Sequence, residues 1–276
     1  FRKTNPPRDE WERDYGVCAA DGLNTFRHWV LWGSIELAPG VFDFSEYDTH
    51  FDLAAKHGMT TIISEFTHSA PEWAFRQYAH ARYERADGIK RESQMRDSCV
   101  TGGSVGLCLD NEDFKLVADR WLKTLADHYK DHPSMAGYDV WNETNTISAG
   151  GFCYCPATRK KFREWLRAKY GTLEAVATAW HRYSFTDWDD VNPPLLTQPY
   201  PEFFDWCQFR FDNAWRHFQW RIDTIRSVDQ RCLITAHCAG AHTINRMVEG
   251  ADDVWRAAEK VQIYGFGGGS CLDAPT

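Results

Sequence analysis

Tyr138-Asp139-Val140-Trp141-Asn142-Glu143-Thr144-Asn145 begins as a short apolar run after the break His132-Pro133 and ends abruptly in an amide beside a carboxylic acid. A buried parallel strand delivers polar chemistry at its C-terminal tip in this way. Strict period-two alternation points Asn142 and Glu143 to opposite faces, so both serve one site only if the strand twists or bulges there, an irregularity common beside active sites. The plainer alternative is that the pair opens a solvated loop.

Helical and strand-like segments alternate on both sides of this stretch, with no low-complexity linker and no internal repeat. Upstream, Arg8 to Ala20 reads as a helix stopped at Gly22, and Thr25 to Leu31 as a strand rich in aromatic and β-branched residues. A helix capped at Ser45 runs to Gly58, and Thr60 to Phe66 is the next strand. Gln77 to Leu107 has no clean periodicity, which in a compact domain points to a functional loop or lid. Asp110 and Asp113 form a carboxylate version of the capping box for a helix whose apolar stripe is Phe114, Leu116, Val117, Trp121, Leu122, Leu125 and Tyr129. Downstream, helices are predicted around Phe162–Tyr170, Leu173–Trp180, Phe203–Val228 and Asp252–Lys260. The strands there are Cys232 to His237 and Val261 to Phe266. In the long third helix Phe204, Cys207, Phe211, Trp215, Phe218 and Ile222 share one side.

Apolar strands alternating with helices predict a parallel sheet covered by helices. Polar residues at the tips of many strands (Arg27, Glu65 with His68 beyond it, Asn142 with Glu143, His237, Tyr264) favour the closed (β/α)8 TIM barrel over an open sheet. An open sheet usually carries a glycine-rich phosphate loop after its first strand, and none is present; Gly267-Gly268-Gly269 precedes no helix.

Composition bounds the partners. The 276 residues are 43% hydrophobic with 13 Trp, enough for a large core, and no run approaches the ~18 apolar residues of a membrane span. A net charge of −8, spread along the chain, argues against nucleic acid or an anionic membrane and suits a neutral ligand. Nine cysteines without framework spacing fit a reducing compartment, so a cytoplasmic location is expected.

Trp29-Val30-Leu31-Trp32-Gly33-Ser34-Ile35-Glu36, Trp141-Asn142-Glu143 and Cys153-Tyr154-Cys155 are three motifs that together resemble those of glycoside hydrolase family 42, the β-galactosidases of clan A. Trp29-Val30-Leu31-Trp32-Gly33-Ser34-Ile35-Glu36 with Pro39-Gly40-Val41-Phe42-Asp43-Phe44 is similar to that family's second-strand loop. Trp141-Asn142-Glu143 matches the clan's fourth-strand Asn-Glu pair. Cys153-Tyr154-Cys155, followed by Phe162-Arg163-Glu164-Trp165-Leu166 and Lys169-Tyr170-Gly171-Thr172-Leu173, looks like its cysteine loop and the helix after it. The similarity runs from about Glu10 to Phe266, which makes residues 1–276 a single glycosidase-like barrel domain.

The resemblance implies a retaining glycoside hydrolase acting on β-galactosides or related oligosaccharides, with two carboxyl groups about 5–5.5 Å apart. Glu143 would be the acid/base, with its pKa raised so that it holds a proton near neutral pH. Asn142 would hydrogen-bond the sugar 2-hydroxyl, Arg27 would help keep the nucleophile ionised and Tyr264 would hydrogen-bond it. The bland readings are a salt bridge inside the barrel for Arg27 and a core aromatic for Tyr264. His68 and His237 are weaker substrate-binding candidates. Counted by the resemblance, residues 25–266 supply strands two to six, so the barrel is expected to be truncated after strand six, with the family's seventh-strand nucleophile Glu outside the chain. Exposed edges would then favour a homo-oligomer. The alternative is a non-catalytic carbohydrate-binding or assembly protein on an incomplete barrel. No cofactor is required. Cys108, Cys153 and Cys155 match three positions of a four-cysteine zinc site found in some members, with Thr158 at the fourth. A structural zinc and three reduced thiols remain the two readings.

Overall fold

The computed structural model describes residues 6–67, 69–92, 106–142, 152–195, 200–239, 250–251 and 253–267. Helix α1 (Arg8–Ala20) leads into strand β1 (Thr25–Leu31), and the single turn α2 (Trp32–Ile35) and the antiparallel ribbon β2 (Glu36–Ala38) and β3 (Val41–Phe42) follow. Then come α3 (Ser45–Lys56), β4 (Thr60–Phe66), α4 (Glu72–Gln77), α5 (Glu112–Tyr129) and β5 (Met135–Asp139). Helices α6 (Pro156–Tyr170), α7 (Leu173–Trp180) and α8 (Tyr200–Arg226) precede β6 (Leu233–Ala239), and α9 (Val254–Ala258) precedes β7 (Ile263–Gly267). The five long strands form one sheet in the order β1-β4-β5-β6-β7, every pair parallel. Consecutive members of the series are therefore neighbours, each joined by a crossover that carries helix, which is the winding of an α/β barrel.

Register sorts the side chains into two faces. His28, Ile63, Tyr138 and Ile234 form one row and are all buried. Ile63, Tyr138 and Ile234 meet the helices through a core that includes Phe114, Trp121, Leu125, Phe218 and Ile222, and His28 meets Tyr15 of α1 and His50 of α3. The next row, Trp29, Ser64, Asp139, Thr235 and Ile263, points the other way, as does the row Arg27, Ile62, Gly137 and Leu233. This inner face carries the polar residues. At Gly137 the strands come so close that a Cβ would stand 2.3 Å from the Leu233 carbonyl oxygen, so only glycine fits.

The helix-facing core is aromatic. Trp32 and Trp121 stack at 5.8 Å between ring centres and Phe51 and Tyr129 at 3.9 Å, and a set of this kind contributes both area and ring–ring attraction. Among these rings Glu36 is fully buried. Its carboxylate accepts from Trp32 Nε1 at 2.6 Å, Gly40 N at 2.7 Å and Arg120 Nη2 at 2.5 Å. Three donors satisfy it in place, so this motif Glu serves the structure by pinning α2 and the β2–β3 ribbon to α5.

Helix α8 has 27 residues, about 40 Å of helix, and serves two cores. Its first half gives Trp206 and Phe209 to a satellite core with Phe162, Leu166, Val176 and Trp180, and its second half gives Phe218, Ile222 and Ile225 to the main core.

Several expected details differ. The strand ends at Asp139, so Val140 to Asn142 already belong to the loop. Ser45 is the first residue of α3, and the capping acceptor is the Asp43 carboxylate, 3.0 Å from Ser45 N. Asp110 makes no capping box for α5, which starts at Glu112, because its carboxylate is drawn instead to Thr158, Asn213 and His217. Leu116 and Phe204, placed on apolar stripes by spacing, point to solvent, since each helix buries a narrower arc. Within Gln77–Leu107, a 3-10 turn at Ala79–Ala81 and the bridges Arg82 to Leu107 and Glu84 to Lys90 order the parts that are described. Among the described residues no helix is long and apolar enough to cross a membrane.

Behind β1 a buried histidine pair sets an acid limit on stability. The Tyr15 hydroxyl lies 2.7 Å from His28 Nε2 and 3.2 Å from His50 Nδ1, and Trp11 stacks on His50 at 4.1 Å. Burial pushes His28 down to about 3, with His50 adding to the shift, and burial with Arg8 pushes His50 down to about 4. Both are neutral when folded, whereas the unfolded chain protonates them below about 6.5. The unfolded state therefore binds more protons between about pH 4 and 6.5, and stability falls as pH is lowered through that window. At pH 5 the expected loss is roughly 2 kcal/mol per histidine. Urea unfolding at pH 7 and pH 5 checks this. A His28→Gln/His50→Gln variant whose unfolding keeps the full pH slope would exclude this pair as the cause.

Candidate active site

Asp139, the last residue of β5, is buried and gathers the inner face around it. Its Oδ2 accepts from Arg27 Nε at 2.5 Å and from Ser64 Oγ at 3.3 Å, and lies 3.2 Å from His237 Nδ1. Arg27 reaches it across β4 from β1, and its Nη2 also donates to Ser64 Oγ at 2.8 Å and to Asn142 Oδ1 at 2.6 Å. Four strands thus converge on one carboxylate at the C-terminal edge of the sheet, where α/β barrels build their sites. Parallel pairing makes this possible: Ser64 and Asp139 share a row with Trp29 and Thr235, and Arg27 and His237, two residues before Trp29 and two after Thr235, lie on the same face and reach that row with their side chains.

Arg27, Asn142 and His237, three of the residues expected at the site, are brought together here. Arg27 does so as the salt bridge of its bland reading, since Asp139 neutralises it. Its bond to Asn142 Oδ1 fixes the amide, leaving the Asn142 NH2 as the edge turned away from the guanidinium. His237 faces Asp139. Tyr264 does not join them: it is in register with Ala236, on the opposite side of the sheet from His237, and packs against the helix-facing core. That agrees with its alternative reading as a core aromatic. Glu143 and His68 lie outside the described residues. Asp139 and Ser64 are the members the sequence did not single out. The available signal was a carboxylate inside a buried strand, which requires a cationic partner.

Behind the strand tip, Trp141 is buried under the guanidinium of Arg221, 4.5 Å from its ring centre. Arg221 donates to the His217 carbonyl at 3.0 Å and to Thr67 Oγ1 at 2.9 Å. These residues line a cavity of about 70 Å³ that extends past Asn213 and Asp110 to Cys108 and Cys153. At its far end the sulfurs of Cys108, Cys153 and Cys155, all buried, lie within 4.8 Å of one another. The Cys153 sulfur accepts from Glu84 N and Cys155 N, each at 3.4 Å, and Asn111 Nδ2 points at the Cys155 sulfur from 3.7 Å. Hydrogen bonds from Cys108 and Cys153 hold Cys155 far below the ordinary thiol range, while donation to its neighbours pushes Cys108 up and burial pushes Cys153 up. Three convergent sulfurs, one already favoured as thiolate, are the donor set zinc takes.

Asp110 sits beside the cluster. It accepts from Thr158 Oγ1 at 2.6 Å, from Asn213 Nδ2 at 3.0 Å and from His217 Nε2 at 3.0 Å, with Lys161 Nζ at 3.9 Å. Burial opposes its charge, but the His217 bond, Thr158 and Lys161 outweigh that and hold the carboxyl well below the usual range.

The chain matches the family model of glycoside hydrolase family 42, described as beta-galactosidase, over residues 3–265. Among curated proteins it is similar to the beta-galactosidase Bga of Halorubrum lacusprofundi, 26% identical over 94% of this chain and 37% of the relative. The beta-galactosidase BgaA of Planococcus sp. is also 26% identical, over 97% of this chain and 39% of the relative. The chain thus spans well under half the length of the curated relatives it matches. Among solved structures, the Halorubrum lacusprofundi beta-galactosidase superposes with a TM-score of 0.80 at 24% identity, over 96% of this chain and 39% of that one. The beta-galactosidase of Marinomonas ef1 gives 0.79 at 20% identity, over 95% and 39%. At these identities the superpositions establish the fold, a set of strands and helices from a TIM barrel.

Proposed function

Because the chain belongs to glycoside hydrolase family 42, we propose that it forms part of the catalytic barrel of a retaining β-galactosidase, cleaving terminal β-linked galactose or a related β-glycoside. The single observation that supports this reading most is the cluster on the inner face of the sheet, where Arg27, paired with Asp139, donates to the Oδ1 of Asn142, the residue that precedes Glu143 in the sequence. In the proposed reaction the Glu143 carboxylic acid gives its proton to the glycosidic oxygen while a second carboxylate attacks the anomeric carbon. The aglycone leaves as the alcohol, and the sugar stays as a glycosyl ester. Glu143, now a carboxylate, takes a proton from water as that water attacks the same carbon, which frees the second carboxylate and restores the acid. Asn142 donates to the 2-hydroxyl oxygen, a contact that strengthens as positive charge grows on the ring. By the resemblance, the second carboxylate would be a Glu on a seventh strand.

Proton NMR of galactose release from an aryl β-D-galactoside by the protein tests this. The β anomer is expected to appear first and to mutarotate afterwards. Initial release of the α anomer would refute the retaining reading, as would no hydrolysis of any β-galactoside by a chain that also carries the seventh-strand carboxylate.

We also propose that Cys108, Cys153 and Cys155 hold a structural zinc. Bound there, the ion would tie the loop after β5 to the segment before α5 and would supply no step of the hydrolysis.

A further inference from the structure

We propose that the Thr158 hydroxyl, oriented by Asp110, occupies the fourth ligand position of the cysteine cluster and makes it a site of three sulfurs and one oxygen. This rests on the zinc reading above and not on the galactosidase reading. Thr158 lies in the first turn of α6, is buried, and holds its Oγ1 3.3 Å from the Cys108 sulfur and 3.5 Å from the Cys155 sulfur. In a tetrahedron with zinc–sulfur bonds of about 2.3 Å and zinc–oxygen bonds of about 2.0 Å, the sulfur–oxygen edges are about 3.5 Å. The hydroxyl already stands at the length of two such edges.

Its orientation follows from the groups around Asp110. Asn213 presents an NH2, His217 a ring N–H and Lys161 an ammonium, so the carboxylate is surrounded by donors and can only accept. The Thr158 proton therefore points to Asp110 Oδ2, 2.6 Å away, and the oxygen lone pairs remain for the side where the sulfurs are. A carboxylate drawing on a ligand's proton raises that ligand's basicity, which is what a neutral alcohol needs to bind a cation. On binding, the cysteine protons leave to water as the sulfurs bind as thiolates. The Thr158 proton stays on its oxygen, shared with Asp110.

Chelator competition with the purified protein measures the contribution of the oxygen. The protein is expected to hold one zinc per chain, Thr158→Val to lower zinc affinity about 10- to 100-fold, and Thr158→Ser to keep it. Cobalt loading counts the sulfurs: the thiolate-to-metal absorption of Thr158→Cys should exceed that of the unsubstituted protein by about a third, four thiolates against three. Valine at unchanged affinity, or a cobalt band that cysteine leaves unaltered, would overturn the oxygen ligand while leaving the zinc reading intact. If Thr158→Val fails to fold, Thr158→Ala, which removes the same hydroxyl, takes its place and carries the same expected loss of affinity. Failure of the unsubstituted protein to bind either metal would refute the zinc reading itself and this proposal with it. Galactoside hydrolysis bears on neither outcome.

Discussion

Glu143→Gln is expected to lower kcat/KM for alkyl β-galactosides by about 10²- to 10⁴-fold, while kcat/KM for 2,4-dinitrophenyl β-galactoside stays nearly unchanged. A general acid contributes only as much as the leaving group needs its proton, and dinitrophenolate departs without one. The return step is different. Water must still be deprotonated at the glycosyl ester, so kcat for the activated substrate falls together with KM as the ester accumulates. The alkaline limb of the kcat/KM profile for the alkyl substrate, set by loss of the acid's proton, should also vanish. Initial-rate kinetics over a series of leaving groups measures all three effects. An equal loss for every leaving group would mean that Glu143 binds or supports the site without transferring a proton.

Arg27→Met should destabilise the protein by about 3–5 kcal/mol, seen as a fall in Tm of roughly 10 °C, and should cost more than Asp139→Ala. The asymmetry follows from exposure. The Asp139 side chain is 2% exposed, so removing its cation strands a charge out of water, whereas the Arg27 side chain is 35% exposed and can be hydrated when Asp139 is removed. Asp139→Ala still leaves Ser64 and His237 without their acceptor, so its expected cost is about 1–3 kcal/mol. Because Arg27 also orients Asn142, a folded Arg27→Met protein should lose about 10²-fold in kcat/KM through misplacement of the amide. Thermal unfolding of the two single variants side by side is decisive, and a greater loss for Asp139→Ala would contradict the account of which charge is buried.

Most of the architecture is legible in the sequence because its strands are apolar runs bounded by turns and its helices have a strong 3.6 period. Thr25–Leu31 and Thr60–Phe66 come out at the predicted bounds for that reason. Asp110 departs from its expected capping role because a capping motif is a statement about four residues, while the carboxylate answers to Thr158, Asn213 and His217, at least 48 positions away. Tyr264 differs from the site residues by one position of register, which in a strand is a change of face. The gathering of Asn142 and His237 can be anticipated from strand tips alone, whereas Arg27, the third residue of β1, joins them only through the reach of its side chain. Asp139 at their centre cannot be anticipated, since nothing local separates a buried acid that organises a site from one that closes a turn. The three cysteines are legible by resemblance, and the hydroxyl between them only by distance.

Helix α8 has a consequence for how the molecule comes apart. Its two halves belong to different apolar cores, and between them Asn213 and His217 reach sideways to Asp110. A continuous run of backbone hydrogen bonds, with no glycine or proline between Glu202 and Arg226, links the two cores as a single strut. Local melting of the cysteine-loop lobe would have to break that strut at some turn and expose apolar surface on both sides of the break. The lobe and the sheet should therefore exchange their amide hydrogens as one cooperative unit, with a flat profile of protection along α8, and the barrel should lose its outer lobe only when it loses itself.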